Sequence, residues 1–422
     1  MHKNTYRYIV LVMLTLVYVF NFIDRQLLVI LQEAIKKDLH LSDTQLGMLS
    51  GFTFAIFYVS IGLPIARLAD KSNRRNIITV SLGLWSIMTA ISGRVNTYLQ
   101  LFLARMGVGI GEAGGSPPAH AMISDYFPPD KRSTALSIYS SGIYFGILIG
   151  FLMGGYLNQQ LGWRVAFIAL GVPGIVFSLL FYLIVKEPAR GATDPDNTFF
   201  EQPGLIEVIR YLFSTHTFLI LGIACSLHTF SIYGITNWVP SFLARLHHMK
   251  GADIGLSLGL LFGVGGGVGT FAGGYLTDRF GKNDQRWYLI IPSIGVVFAG
   301  IFALGGLFIE NTLVCLMLLG LCVMMQSMYL GPSIAVSHSL VPASMRALTS
   351  AILFFMLNII GLGFGPLVVG TISDRLRPSL QTESLRWAMS ITIVIEIAAA
   401  ILFYISSKKL KLDLNARKDA KN

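Results

Sequence analysis

Charged residues are scarce in this chain. Asp, Glu, Lys and Arg make up only 13% of its 422 residues, and hydrophobic residues make up 54%. A soluble domain carries about 25% charged residues. The mean hydropathy is +0.65. This composition excludes an ordinary soluble protein and indicates a polytopic membrane protein.

Cysteine is rare as well, and the sequence lacks the patterns of common enzyme sites. Cys225, Cys315 and Cys322 all lie in apolar stretches at uneven spacing, so we expect no disulfide. There is no Cys/His cluster with metal-ligand spacing and no nucleophile elbow, and the glycine run 263–269 lacks the Lys and Ser/Thr of a phosphate loop. We therefore expect no metal, no cofactor, no ATP-driven step and no enzymatic activity.

Long apolar runs dominate the chain instead. A helix needs roughly 20 apolar residues to cross a membrane, and runs such as 294–302 do not alternate as barrel strands do. The predicted fold class is therefore all-α. Numbered 1 to 12 in chain order, the predicted spans are 8–31, 44–66, 76–93, 98–124, 133–158, 164–186, 216–245, 252–277, 287–308, 312–340, 346–373 and 386–407.

Lys and Arg are distributed unevenly across this topology. With a cytoplasmic N-terminus, 21 lie on the cytoplasmic side and 9 on the outer side, and Arg25 and Arg105 lie inside spans. By the positive-inside rule we expect a multi-pass protein of the cell (inner) membrane with both termini in the cytoplasm. Topology and attraction to anionic membrane lipids account for the net charge of +10, so no nucleic-acid partner is expected.

The chain also contains an internal repeat. The loop around Asp70, after span 2, recurs around Asp278, after span 8 and 208 residues further on, and a second register with a shift of 215 residues pairs Pro117 with Pro332. Parallel repeats of this kind mark secondary transporters with a central site. The predicted divisions are a first six-helix half at 1–186, a cytoplasmic linker at 187–212, a second six-helix half at 213–407 and a basic cytoplasmic tail at 408–422.

Four charged residues lie inside predicted spans, Asp24 and Arg25 in span 1 and Arg105 and Glu112 in span 4. Such charges are expensive in a bilayer and indicate a functional site. At about 1.5 Å per residue, Asp24 and Arg105 reach nearly the same depth, and Glu112 lies about 10 Å further toward the cytoplasm. Asp24 and Arg25 point about 100° apart, so we expect only one of them to face the site squarely.

These charges have distinct candidate roles. Asp24 and Glu112 are candidate proton carriers, because a carboxyl group holds or releases its proton according to whether water or an arginine lies beside it. Arg25 and Arg105 are candidate partners of an anionic head group, because the planar guanidinium donates hydrogen bonds in pairs. The alternative is a static Asp24–Arg105 ion pair that locks spans 1 and 4 together.

At this point the residues resemble the major facilitator superfamily. The loop after span 2 is similar to the acidic and basic loop signature of that superfamily, although Ala66 and Asn73 stand where glycine is usual, and the copy at Asp278 is closer. Span 4 carries Arg105-Met-Gly-Val-Gly109, similar to the membrane-embedded arginine motif. The resemblance covers essentially the whole chain and implies twelve membrane helices in two pseudo-symmetric six-helix bundles.

Several strings resemble the Spinster family within that superfamily, whose members move lysophospholipids or sphingosine-1-phosphate. The span 1 and span 4 strings also occur in organic anion:cation symporters, and the string after span 6 favours Spinster. The resemblance implies a secondary active lipid transporter that works by alternating access, and we expect proton coupling and a monomer. The strings are Asn21-Phe-Ile-Asp24-Arg25, Gly109-Ile-Gly-Glu112-Ala113, Gly162-Trp163-Arg164 and Lys186-Glu187-Pro188-Ala-Arg190-Gly191.

The repeat bears on the substrate. Under the shift of 215, Arg105 corresponds to Gly320 and Glu112 to Ser327, so span 10 lacks the charges of span 4. An amphiphilic lipid with a phosphate or zwitterionic head and an acyl tail fits this one-sided charge. A small dianion calls for arginines in both halves. A proton-coupled symporter of a small organic anion and a non-transporting sensor of the same fold remain the alternatives.

Other polar residues in the spans are weaker candidates for the site, because an uncharged polar residue in a membrane helix usually hydrogen-bonds a neighbouring helix. Glu396 in span 12 is a buried carboxylate, but the families that this chain resembles place that helix outside the cavity. The candidates for lining the cavity are His228, Asn237, Trp238, Gln326 and Asn358. The residues assigned to a cytoplasmic gate are Asp70, Arg74, Arg75, Asp125, Arg132 and Asp278.

Overall fold

The computed structural model describes residues 3–191 and 204–419. Within these ranges the chain is helical with connecting turns and contains no strand. The all-α prediction is therefore confirmed. The three cysteines are buried and free, as the sequence predicts.

Eighteen α-helices follow one another along the described ranges. Three π-helical segments interrupt long helices at Met48–Phe52, Leu261–Gly265 and Leu357–Phe364. The helices are α1 (Lys3–Leu39), α2 (Asp43–Gly47), α3 (Thr53–Lys71), α4 (Arg74–Ser92), α5 (Tyr98–Glu112), α6 (Ser116–Tyr126), α7 (Pro129–Leu161), α8 (Trp163–Ile184), α9 (Leu205–Ser214), α10 (His216–Leu246), α11 (Gly251–Leu260), α12 (Gly266–Gly281), α13 (Trp287–Phe308), α14 (Thr312–Gln326), α15 (Leu330–Ser339), α16 (Arg346–Met356), α17 (Gly365–Leu380) and α18 (Ser384–Asp419).

Helix occupies all twelve predicted spans. Within the described ranges, nine helical segments are long and apolar enough to cross a membrane, and the last of them, 348–415, covers most of α16, all of α17 and most of α18. Apolar helices suit a bilayer because each satisfies its backbone hydrogen bonds internally. The protein is therefore an integral membrane protein.

Spans 4 and 10 are each broken into two helices, which the sequence analysis did not predict. Span 4 consists of α5, which ends at Glu112, and α6, whose first turn contains Pro117. Span 10 consists of α14, which ends at Gln326, and α15, whose first turn contains Pro332. Proline is tolerated in a first helical turn because the N–H groups there have no partner within the helix. The breaks therefore fall at positions that the 215-residue repeat relates.

The chain groups into two compact units. The first contains residues 1–198 and 243–263, and the second contains 199–242 and 264–422. The C-terminal end of α10 and all of α11 thus group with the first unit, whereas the predicted division places both in the second half. In each unit the third and sixth predicted spans pack on each other, α4 on α8 and α13 on α18.

The predicted linker contains structure. Helix α9 (Leu205–Ser214) lies in it and buries Val208 and Leu212, whereas the sequence analysis treated 187–212 as a polar connection. Alternation of Leu, Ile and Val with Glu207 and Arg210 gives this short helix one apolar face. Residues 192–203 of the predicted linker lie outside the described part of the chain.

Helices α7 and α11 approach each other closely in the first unit. A Cβ atom on Gly255 would lie 2.3 Å from the carbonyl oxygen of Phe151, and one on Gly155 would lie 2.3 Å from that of Gly251. A side chain at either position would push the two backbones apart. Glycine is therefore required at this contact.

We predict that Gly255→Ala destabilises the protein, because overpacking a close contact costs about 1–3 kcal/mol. The measurement is thermal unfolding of the purified protein in detergent. Gly274→Ala is the matched control in α12, because nothing lies within 4 Å of a Cβ atom there. A lower Tm for Gly255→Ala alone is expected, and equal Tm values for both variants would contradict the assigned contact.

Candidate functional site

The four intramembrane charges form two pairs in the first unit. Arg25 Nε lies 2.7 Å from Glu112 Oε2, and Arg105 Nη1 lies 3.6 Å from Asp24 Oδ2. Asp24, Arg105 and Glu112 are buried, and the Arg25 side chain is 17% exposed. Each carboxyl group interacts electrostatically with both guanidinium groups. The predicted charge cluster between spans 1 and 4 therefore exists, and we call these residues the four-charge cluster.

The pairing corrects two expectations. Both Asp24 and Arg25 reach charges on α5, although adjacent helical residues point about 100° apart. An arginine side chain is long and flexible enough to curve around the helix to Glu112. Glu112 therefore has a partner, and the 10 Å axial offset estimated for it does not separate it from Arg25.

Thr89 of α4 was missing from the sequence analysis. Its Oγ1 lies 2.6 Å from Asp24 Oδ1 and 2.8 Å from the backbone carbonyl oxygen of Trp85. Asp24 lies on another helix, α1, and Trp85 lies four residues before Thr89 in α4. An isolated threonine in an apolar helix gives no signal of such a contact in one sequence, since threonine also bonds its own helix routinely.

Aromatic rings surround the Arg25 guanidinium. Its Cζ atom lies 5.1 Å from the ring centre of Phe22, 4.8 Å from that of Phe54 and 5.0 Å from that of Tyr58. A cation over an aromatic face is attracted by the ring quadrupole, more strongly when water is excluded. The rings therefore hold Arg25 in place and offset part of the cost of removing it from water.

A charge network joins α4, α6 and the segment after α8, on the side that is predicted to face the cytoplasm. Arg74 Nη1 donates to Asp125 Oδ2 at 2.5 Å, and Arg74 Nε donates to Glu187 Oε1 at 2.7 Å. The backbone N–H of Arg75 donates to Glu187 Oε2 at 2.8 Å, and that of Gly191 donates to Asp125 Oδ1 at 2.9 Å. Burial by itself lowers the pKa of Arg74, but the bonds to Glu187 and Asp125 outweigh it and raise that pKa above its ordinary value.

The other predicted gate residues have separate contacts. Arg132 donates to the carbonyl oxygens of Ser124 and Phe127, and Arg75 lies over the Tyr182 ring. Asp278, in the second unit, accepts a bond from the Tyr288 hydroxyl at 2.7 Å. The side chain of Asp70 lies outside the described part of the structure. Arg74 and Asp125 are thus paired directly, and Glu187 is a member that the sequence analysis did not assign.

A second network of charges lies in the first unit, on the side that is predicted to face outward. Arg245 bonds Glu33 of α1 and Asp43 of α2, with an Nε–Oε1 distance of 2.8 Å to Glu33 and an Nη1–Oδ2 distance of 2.9 Å to Asp43. Lys36 also pairs with Asp43, which is buried. Lys36 and Arg245 are two of the nine cations predicted for the outer side. The sequence does not relate Arg245 to its partners, from which more than 200 residues separate it.

The candidates for lining the cavity in the second unit are mostly held by neighbouring groups. His228 contacts Glu396 and the Gln326 carbonyl oxygen, and Trp238 Nε1 donates to the Pro366 carbonyl oxygen at 2.9 Å. Asn237 is buried. Asn358 donates to the Phe354 carbonyl oxygen of its own helix. The assignment of these residues to a cavity stays a prediction.

We predict that Arg74→Ala lowers stability, because it leaves Asp125 and Glu187 without their cation. A fully buried pair costs about 3–5 kcal/mol to break. Glu187 is 22% exposed, so we expect on the order of 2 kcal/mol. Thermal unfolding measures the loss.

Arg286→Ala is the control for that measurement, because Arg286 forms a solvent-exposed pair with Asp284. Exposed pairs contribute little to stability. An equal fall in Tm for the two variants would show that the Arg74 network contributes no more than a surface ion pair.

Comparisons with known proteins place the chain in a family. The model of the Major Facilitator Superfamily matches residues 14–366. An MFS-type efflux pump of Mycolicibacterium smegmatis is 34% identical over 95% of this chain and 92% of its own length. A probable galactarate/D-glucarate transporter, GudP, of Bacillus subtilis is 28% identical over 67% of each chain.

A solved structure has the same fold. It is that of a bacterial homolog of the human lysosomal transporter Spinster in an inward-facing and unoccupied conformation. It matches with a TM-score of 0.89 and 30% identity over 97% of this chain and 98% of that chain. With the family match over most of its length, the chain belongs to the Major Facilitator Superfamily of transporters.

Proposed function

We propose that this protein is a Spinster-type secondary active transporter of the cell membrane. It moves a lysophospholipid-like amphiphile by alternating access, and movement of protons through the four-charge cluster drives it. The observation that carries the proposal is the contrast between α5 and α14: α5 has Arg105 and Glu112, and the corresponding positions of α14 and its break have Gly320 and Ser327.

The contacts of Thr89 support a proton on Asp24. A hydroxyl group has one hydrogen to donate, and the Trp85 carbonyl oxygen can only accept. If Thr89 donates to Trp85, its bond with Asp24 Oδ1 requires that Asp24 carry the hydrogen. When Asp24 is protonated, the contact with Trp85 at 2.8 Å and the contact with Asp24 at 2.6 Å are both hydrogen bonds at the same time.

The distance between Asp24 and Arg105 fits the same state. At 3.6 Å it exceeds the 2.7–2.9 Å of a charge-assisted hydrogen bond. When Asp24 releases its proton, the carboxylate gains charge beside the guanidinium of Arg105, and a shorter contact becomes favourable. A change of protonation thereby alters the attraction between α1 and α5, which is the coupling that proton-driven transport needs.

Arg105 supplies the candidate head-group contact. Among the described residues, its Nε and Nη1 atoms have no hydrogen-bond partner although the side chain is buried. A buried donor without a partner carries a free-energy cost, and a phosphate oxygen near Arg105 would remove it. Arg25 already bonds Glu112, so protonation of Glu112 would free a second guanidinium for the same anion.

The character of α14 supports an amphiphile over a small dianion. Between Thr312 and Gln326 this helix contains no charged residue, and the hydroxyl of Ser327 bonds the carbonyl oxygen of Val323 in the same chain segment. Apolar surface of this kind suits an acyl chain, which gains about 0.8 kcal/mol for each buried CH₂ group.

The second candidate is a proton-coupled symporter of a small organic anion. It is favoured by the similarity to the probable galactarate/D-glucarate transporter. The same proton chemistry at Asp24 serves both candidates. They differ in ligand: the lipid transporter binds long-chain lysolipids, and the symporter binds short dicarboxylates. A binding screen of both classes on the purified protein separates them.

We predict that Asp24→Asn abolishes uptake of a lysophospholipid driven by a pH gradient in liposomes. The amide group can donate to Thr89 as a protonated carboxyl does, so the fold and exchange of lipid without a gradient should be retained. Glu383→Gln is the control, because Glu383 is a surface carboxylate paired with Arg386. Gradient-driven uptake that survives in Asp24→Asn would overturn the assignment of Asp24 as a proton carrier.

We predict that Arg105→Ala weakens binding of a phosphate-headed lysolipid by roughly tenfold or more, since a hydrogen bond to a charged group contributes about 1.5–3 kcal/mol. Binding of a monoacylglycerol with the same acyl chain should change much less. Isothermal titration of both lipids gives the ratio of the two losses, and Arg286→Ala, at an exposed arginine, is the surface control. Equal losses for both lipids would favour a static Asp24–Arg105 pair.

A further inference from the structure

A buried histidine and a buried glutamate face each other in the second unit, in contact with three helices. His228 of α10 places Nδ1 2.9 Å from Glu396 Oε1 of α18. It places Nε2 3.0 Å from the backbone carbonyl oxygen of Gln326, the last residue of α14. His228 has no exposed surface and Glu396 is 4% exposed. The four-charge cluster contains neither residue.

The contact with Gln326 determines which imidazole nitrogen carries hydrogen. A carbonyl oxygen only accepts, so Nε2 is the donor and bears its hydrogen in every state that keeps this bond. A neutral His228 then has its lone pair on Nδ1, directed at Glu396. The bond at 2.9 Å requires one hydrogen between Nδ1 and Oε1.

This hydrogen can belong to either residue. An imidazolium can donate to a carboxylate, or a carboxylic acid can donate to a neutral imidazole. Both arrangements contain the same number of protons and have no net charge, so burial favours them. If the shared proton leaves, two acceptors face each other and a bare carboxylate remains buried, which is unfavourable for an unpaired ion.

The neighbouring groups offer no substitute charge. The Tyr329 ring lies edge-on to the imidazole at 4.5 Å, and its hydroxyl bonds Thr229. The Cys322 thiol contacts the Gln326 side chain. Among the described residues of α10, α13, α14, α17 and α18, no lysine or arginine forms an ion pair with Glu396, and Glu396 Oε2 has no hydrogen-bond partner.

The helix that packs behind Glu396 is also without charge. Gly300 of α13 faces the Glu396 side chain, because a Cβ atom added to Gly300 would lie 3.8 Å from Glu396 Cγ. Helix α13 contains no charged residue. The further ionisable groups near Tyr329 are Cys225 and Tyr233. Among the contacts of the described residues, only the proton of the histidine–glutamate pair thus compensates the charge of the Glu396 carboxylate.

We propose that His228 and Glu396 form a second proton-binding site, whose single shared proton holds α10 and α18 together at the end of α14. Loss of the proton as the pH rises replaces a hydrogen bond by repulsion between two acceptors and loosens these helices. The site therefore stabilises the second unit at low pH, and this stabilisation is lost as the pH rises. The proposal is independent of the substrate and of the role of Asp24.

The test is thermal unfolding of the full-length protein in detergent from about pH 5 to about pH 9, the range in which histidine sites commonly titrate. The variant is Glu396→Gln, whose amide donates to the neutral Nδ1 without a titratable proton. Wild-type Tm should fall by a few degrees as the pH rises, and the variant should lose most of this fall. Glu383→Gln makes the same side-chain change at a surface position, and its Tm should depend on pH as that of the wild type does.

Two further variants make the outcome decisive. Asp24→Asn should leave in place the part of the pH dependence of Tm that Glu396→Gln removes, so the two substitutions should have additive effects, which separates this site from the four-charge cluster. Glu396→Ala should lower Tm at low pH and flatten its dependence on pH, because it removes the bond and the proton together. If Glu396→Gln keeps the full wild-type fall in Tm, or if Asp24→Asn alone abolishes it, the proposal is overturned.

Discussion

The pairing of Arg25 with Glu112 and of Arg105 with Asp24 allows four charged side chains to lie among apolar helices. An unpaired charge at that depth is expensive, and two cations beside two carboxyl groups remove most of that cost. The pairs are unequal, however. Arg25 makes a close bond to Glu112 under three aromatic rings, whereas Arg105 keeps a longer distance from Asp24 and has buried donors without partners in the described part of the chain. That inequality is the reason that we propose a site there rather than a static lock.

The helix breaks place the polar groups of both units. Glu112 ends α5 and Gln326 ends α14, one residue apart under the 215-residue repeat. A helix end leaves backbone carbonyl groups without intrahelical partners, and in the second unit His228 uses the carbonyl oxygen of Gln326. The two units thus use the same structural feature for different chemistry, a carboxyl–guanidinium cluster in the first and an imidazole–carboxyl pair in the second.

Some of the candidate site could be predicted, and some could not. Asp24, Arg25, Arg105 and Glu112 are visible in the sequence because charge inside an apolar run is costly. Thr89 and the rings around Arg25 carry no such signal, since hydroxyl and aromatic residues are ordinary in membrane helices. Partners far apart along the chain were missed for a different reason. His228 and Glu396 are separated by 168 residues, and nothing in one sequence relates them.

The sequence by itself determined the all-α membrane fold, the helical spans, the repeat and the presence of four charges inside those spans. The reason is that lipid excludes unpaired backbone groups and bare charges, and both constraints can be read from composition along the chain. Only the tertiary structure decided which charges pair and where spans 4 and 10 break. Hydrogen bonding depends on a few tenths of an ångström between helices, and such distances are set by packing rather than by residue type.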